Sequence, residues 1–201
     1  MDEYRIHSYR RCYFVQQYIY HMVPSEMKGD KLIPLNSLKN TYPQLYEKYT
    51  EKYYDHPERP KLLKKQVPKL NCLWNDVLHF LPLHPHFVYQ ALTSLEIKTK
   101  EKQSFYKIPI EKLKNNKNAI YLYSQERYKG PAEPIDENEM ELLVIEDYKE
   151  LTELPSATFD YYKSENSKGN RFGLFPYIPH VLSMGEVEIK DVEIITWDKL
   201  E

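Results

Sequence analysis

At 201 residues and a net charge of −2, the chain is long enough to bury a sizeable core as one domain and has no global basic field for nucleic acid or membrane surfaces. Its two cysteines, Cys12 and Cys72, sit in no motif, which excludes a disulfide scaffold and fits a reducing compartment. No stretch approaches the roughly 20 apolar residues of a membrane span, and the charged start from Met1 to Arg11 lacks the apolar core of a secretion signal. A cytoplasmic protein without membrane contact is expected.

In chain order, Tyr18 to Val23 is rich in β-formers and stops at Pro24, so it reads as a strand. Gly29-Asp30 marks a turn. Leu35 to Lys39 after Pro34, and Pro43 to Tyr54 with Leu45, Tyr46 and Tyr49 at helical spacing, read as two helices. His56 to Lys65 is charged and carries two prolines, which makes it a loop. Leu70 to Leu81 is the most apolar segment, and Trp74, Val77 and Leu78 are expected in the core. Pro85 opens a helix through Leu95 whose stripe is Phe87, Val88, Ala91, Leu92 and Leu95.

Phe105 to Ile110, Ala119 to Tyr123 and Glu141 to Ile145 read as strands, with a polar loop over Ser124 to Asn138. Asp147 to Leu154 reads as a short helix, Ser156 to Ser164 is aromatic and undecided, and Ser164 to Asn170 is a polar turn. Tyr177 to Leu182, Glu186 to Ile189 and Val192 to Trp197 read as three closing strands. Helices in the first half and strands in the second favour an α+β fold over residues 1–201, a bent central β-structure with flanking helices. Nineteen tyrosines and 14 prolines against 5 glycines point to phenols at the surface or lining a cleft, and leave no Gly-rich phosphate loop.

No P-loop, G-x-S-x-G, H-E-x-x-H or C-x-x-C motif is present, so chemistry must rest on looser clusters. His21, in Tyr20-His21, could hold a ligand hydroxyl or phosphate, or bond within its sheet. The run Asn71 to Phe80 contains Asn75, Asp76 and His79, with His84 and His86 just beyond. These could line a small pocket or hold a metal, although the spacing matches no zinc pattern; otherwise Asp76 caps a helix and the histidines are solvated. Arg171 to His180 combines a cation with aromatics that could take a phosphate and a base, or pack as the start of a strand. The carboxylates Glu186, Glu188, Asp191 and Glu193 read as the solvent face of a strand.

The succession Tyr20-His21-Met22-Val23-Pro24, then Leu32 to Leu38, resembles the opening of ADP-ribosyltransferase-like domains, in which a strand carrying a histidine precedes a turn and a short helix. Val67 to Pro85 looks like the central region of the DarT-type DNA-modifying toxins. Ile178-Pro179-His180-Val181-Leu182 resembles the ending of a small bacterial family with the same type of fold. The resemblance implies NAD as cofactor, with His21 positioning its ribose, and a nucleic-acid or protein acceptor. Classical members place a catalytic glutamate on a late strand; here the matching position is His180. RNA 2′-phosphotransferases share the general fold and rely on Arg and His instead.

The expectation is an NAD- or nucleotide-handling transferase or hydrolase with catalytic His21 and His180 in one cleft, and with Tyr20, Asn75, His79 and Arg171 at the nucleotide. A non-catalytic nucleotide-binding or protein-interaction module, and a metal-dependent hydrolase built on Asp76, His79, His84 and His86, are the alternatives.

Overall fold

The computed structural model describes residues 16–54, 59–100 and 102–200; the readings of Met1 to Arg11, of Cys12 and of the chain at His56 lie outside them. Strand β1 (Tyr18–Met22) is the β-rich run ended by Pro24, and β2 (Lys31–Leu32) follows the Gly29-Asp30 turn. Helix α1 (Leu35–Thr41) starts after Pro34, and α2 (Pro43–Thr50) has its proline in the first turn, where a missing N–H breaks no helical bond. A 3₁₀ turn, Glu51–Tyr53, prolongs α2, and another covers Arg59–Lys64. The short strands β3 (Gln66–Val67) and β4 (Cys72–Leu73) pair with each other. A 3₁₀ turn at Trp74–Asp76 leads into β5 (Leu78–Phe80), and α3 (Pro85–Ser94) follows.

Strands β6 (Ser104–Pro109), β7 (Lys117–Tyr121) and β8 (Met140–Leu142) come next, then α4 (Ser156–Ser167), β9 (His180–Met184), β10 (Val187–Glu188) and β11 (Glu193–Thr196). One sheet has the order β1-β6-β11 and another β5-β9-β7-β8, all antiparallel. Among the described residues they meet at a single bridge, in which Tyr20 and Leu81 exchange backbone bonds of 2.9 and 2.8 Å. The α+β class is therefore observed.

Strand alternation distributes the cores. Ile19 joins Phe80, Ile108 and Val181 in one cluster, while its neighbour Tyr20 joins Leu83, Phe105 and Tyr162 in a second. A third cluster, around Val67, Cys72, Ala119 and Leu182, lies under the β3–β4 hairpin.

Several parts of the structure differ from the sequence reading, among them the bounds of α4, β8 and β9. The undecided aromatic stretch is the long helix α4, because Thr158 and Tyr162, four apart, are both fully buried and Phe159 packs beside them. Tertiary burial overrides the β-propensity of Thr, Phe and Tyr there. The expected helix from Asp147 to Leu154 is absent: after a 3₁₀ turn at Ile145–Asp147, Leu151 donates to Pro82 O at 2.6 Å and bridges Leu83. Val77 and Leu78 are buried as expected, but Trp74 is half-buried at the edge of the third cluster.

Phe80 is fully buried next to the joint between the sheets. Phe80→Ala should cost about 3–5 kcal/mol, read by urea denaturation; a loss under about 1 kcal/mol would contradict this account of the core.

Candidate functional site

Beyond the Tyr20–Leu81 bridge, β1 and β5 part. In that register His21 falls opposite Phe80, with ring centroids 5.6 Å apart, and Met22 falls opposite His79. A cleft of about 700 Å³ opens from this split. Its floor includes His21, Leu78 and His79; α1 and α2 supply Leu35, Leu38 and Leu45; and the segment from Pro24 to Lys28 supplies the rim.

The helical wall is fastened by side chains. Asn36 Nδ2 donates to Asp76 Oδ1 at 2.7 Å, while Asp76 Oδ2 accepts from Leu73 N at 2.7 Å and so caps the 3₁₀ turn. Tyr53 Oη donates to Asn75 Oδ1 at 2.8 Å. That bond fixes the amide of Asn75, which is 3% exposed, and leaves its Nδ2 buried without an acceptor at the cleft wall. A buried donor left unpaired costs about 1–3 kcal/mol.

The charge is one-sided. Lys28, Lys31, Lys52 and Lys100 line the cleft with one carboxylate, Glu26. Glu26 is paired with Lys48, and Lys31 with Glu186 at 3.1 Å. Among the described residues, no carboxylate pairs with Lys28, Lys52 or Lys100. The Lys52 ammonium lies 5.3 Å from the Tyr53 ring centroid, and desolvation, with the nearby Arg59 charge, lowers its pKa.

Three imidazoles share one design. His21 Nδ1 bonds Met22 O at 2.7 Å, His79 Nε2 bonds Trp74 O at 3.0 Å, and His180 Nδ1 bonds Ile178 O at 2.7 Å. A ring nitrogen facing a carbonyl must carry the hydrogen, so the other nitrogen of each neutral ring keeps its lone pair. Desolvation pushes the pKa values to about 4, about 3 and about 4. All three rings are neutral at pH 7. His180, His21 and Lys52 each further disfavour a proton on His79. The Trp74 ring stands 4.2 Å from His79, and Lys65 Nζ lies 5.2 Å from the Trp74 ring centroid.

The cleft brings together His21, Asn75 and His79 of the expected set. His180 is not in its lining. It shares the sheet face of Leu182, which is paired with His79, and its ring packs 5.8 Å from Tyr123. Tyr20 points to the opposite side of β1 from His21 and donates to Glu150 Oε1 at 2.6 Å, so alternation removes it from the cleft. Arg171 is exposed between α4 and β9, outside the lining.

The alternative metal set is dispersed. Asp76 is engaged by Asn36 and Leu73, His84 Nδ1 accepts from His86 N at 3.2 Å, and His86 Nδ1 bonds Trp197 O at 2.9 Å. Among the described residues, no three His, Cys, Asp or Glu gather to hold a metal ion. Among the described residues, no helix is long and apolar enough to cross a membrane. The late carboxylates are solvent-facing, with Glu186 and Glu193 paired to Lys31 and Lys107.

Sequence reasoning missed Lys52 and Tyr53. They lie in a run of charged and aromatic residues just after α2 that carries no motif, and only the bond from Tyr53 to Asn75 in the Trp74–Asp76 turn gives them meaning. Comparison with family models, with curated proteins and with solved structures returned no match.

The neutral rings make stability depend on pH. Their folded pKa values lie below the unfolded value of about 6.5, so on acidification the unfolded chain takes up protons first and stability falls as pH drops from about 6.5 toward 4. The thermal midpoint should be lower at pH 5 than at pH 7, and His79→Gln should shrink the difference. A midpoint equal at the two pH values would contradict the burial of these rings as neutral groups.

Proposed function

We propose that the protein is a nucleotide-handling transferase or hydrolase that binds its ligand in the cleft between β1, β5 and the α1–α2 pair. The observation that carries this reading is an excess of cation in a chain of net charge −2. Lys28, Lys52 and Lys100, none paired to a carboxylate among the described residues, line one concave site together with Asn75, whose Nδ2 is orphaned. A cleft with mostly apolar walls and an excess of positive charge focuses field lines and attracts an anion with a flat apolar part, which is the description of a nucleotide. Tyr42, Tyr49 and Tyr53 supply aromatic wall, and the Asn75 N–H suits a phosphate oxygen or a ring acceptor.

NAD is one such ligand, and the resemblance to ADP-ribosyltransferase-like domains makes it a natural probe. With His180 outside the lining, the histidines that meet the ligand in this reading are His21 and His79. A non-catalytic nucleotide-binding module would use the same walls and cations; it differs only in leaving the bound nucleotide unchanged.

Isothermal calorimetry with ATP, ADP and NAD checks the reading. At least one should bind, more weakly at 300 mM than at 50 mM salt because exposed charges are screened. Asn75→Ala should weaken it about tenfold, the equivalent of one charge-assisted hydrogen bond, and the triple change of Lys28, Lys52 and Lys100 to Ala should abolish it. Absence of binding by all three nucleotides at low salt would overturn the proposal.

A further inference from the structure

We infer that His79 is the general base, and Lys52 with Asn75 the anion-holding pair, for attack of water on the pyrophosphate linkage of a nucleotide bound in this cleft. The inference rests on the nucleotide-binding reading and adds the reaction and the roles. It starts from the tautomer of His79. Trp74 O fixes the hydrogen on Nε2, so Nδ1 holds a lone pair with no protein donor among the described residues. Trp74 also packs against the ring, and Lys65 lies over Trp74, so the imidazole is held from two sides. A base held in one rotamer and one tautomer needs no reorganisation when it accepts a proton.

The cation is joined to this base through a chain of contacts. Lys52 lies over Tyr53, Tyr53 donates to Asn75 Oδ1, and Asn75 adjoins Trp74, which packs on His79. All five line the cleft. Lys52 and Asn75 line the same cleft as His79, and the charge of Lys52 is felt at the His79 ring; with the buried Nδ2 of Asn75 turned to a ligand, the two would stabilise developing negative charge on a phosphate. That Lys52 disfavours a proton on His79 agrees with this proximity.

The step balances with water as the only co-reactant. A water O–H gives its proton to His79 Nδ1 as its oxygen bonds phosphorus. The phosphorus–bridging-oxygen bond breaks, and the leaving phosphate takes the electron pair, its charge met by Lys52 and Asn75. His79 then releases the proton to solvent. Two phosphate-terminated products form and nothing is oxidised or reduced.

The test incubates the wild-type protein, in magnesium-containing buffer, with whichever of ATP, ADP and NAD it binds by calorimetry, and reads products by ³¹P NMR. The expected result is cleavage at the pyrophosphate, giving AMP and nicotinamide mononucleotide from NAD. His79→Ala should slow turnover at least about 100-fold, the usual scale for removing a general base, while binding stays within about threefold. Because His79 packs on Trp74, Lys52→Ala at an exposed position gives an independent reading: it should raise KM about tenfold, and Lys52→Arg should restore binding.

A bound nucleotide that the wild type leaves intact, or cleavage by His79→Ala at the wild-type rate, overturns the inference while the binding proposal stands. A protein that binds none of the three nucleotides fails the earlier proposal instead.

Discussion

The fold depends on one place where a sheet stops being continuous. Tyr20 and Leu81 exchange the only pair of backbone hydrogen bonds between the β1-β6-β11 sheet and the β5-β9-β7-β8 sheet among the described residues. Tyr20 is held there from the other side: its hydroxyl bonds Glu150, and Tyr148 Oη donates to Tyr18 O at 2.8 Å. Backbone groups of residues two apart in a strand point the same way. The carbonyl of Met22 therefore faces the direction in which Tyr20 finds Leu81, but at Met22 the partner strand has turned away. A polar group in such a place needs another partner, and His21 Nδ1 supplies it. His79 does the same for Trp74 O on the opposite lip. His21 thus completes the backbone at the split in the sheet and His79 that of the 3₁₀ turn before β5, and their tautomers follow from those bonds. One nitrogen lone pair left on each ring is their by-product.

Much of the frame was legible in the sequence. Strand β1, helix α3, and strands β6, β7 and β11 follow from β-branched runs, prolines and an apolar stripe, because local sequence and tertiary burial ask for the same conformation. Helix α4 was obscured because its buried residues are themselves β-formers, so periodicity and propensity disagreed. The stretch from Asp147 to Leu154 was misread for the opposite reason: it looks helical locally, yet Leu151 is drawn to the Pro82–Leu83 backbone.

The site was legible by residue type and illegible by direction. Asn75 and His79 stood out as polar groups inside an apolar run, and such groups are placed inward only when the fold has a use for them. Tyr20 stood out for being beside His21, but neighbours along a strand face opposite ways, and nothing local says which face holds the ligand. His180 is displaced by one step of sheet geometry, on the far side of His79. Lys52 could not be found at all, since a lysine on a charged helix is ordinarily a solvated one; its significance lies in the Tyr53–Asn75 bond beside it, which joins residues 22 positions apart.

Burial bears on how the proposed chemistry would be divided. Rings with pKa values near 3 and 4 are neutral at pH 7, so under the proposed function attraction of an anion falls to the lysines and the histidines act as neutral acceptors. The two sets also differ in stiffness. Asn75, Trp74 and His79 are held by Tyr53, Lys65 and backbone carbonyls, whereas Lys28 and Lys100 stand exposed at the rim on flexible stems. A rigid interior with an adaptable charged rim separates orientation from attraction. The interior is rigid only while α1 and α2 stay docked, through Asn36 to Asp76 and Tyr53 to Asn75. Because both bonds end on the same 3₁₀ turn that presents Asn75 and leads to His79, undocking of the helical pair would free the Asn75 amide and open the wall in one motion. The geometry of the site is in this way tied to the seating of two short helices.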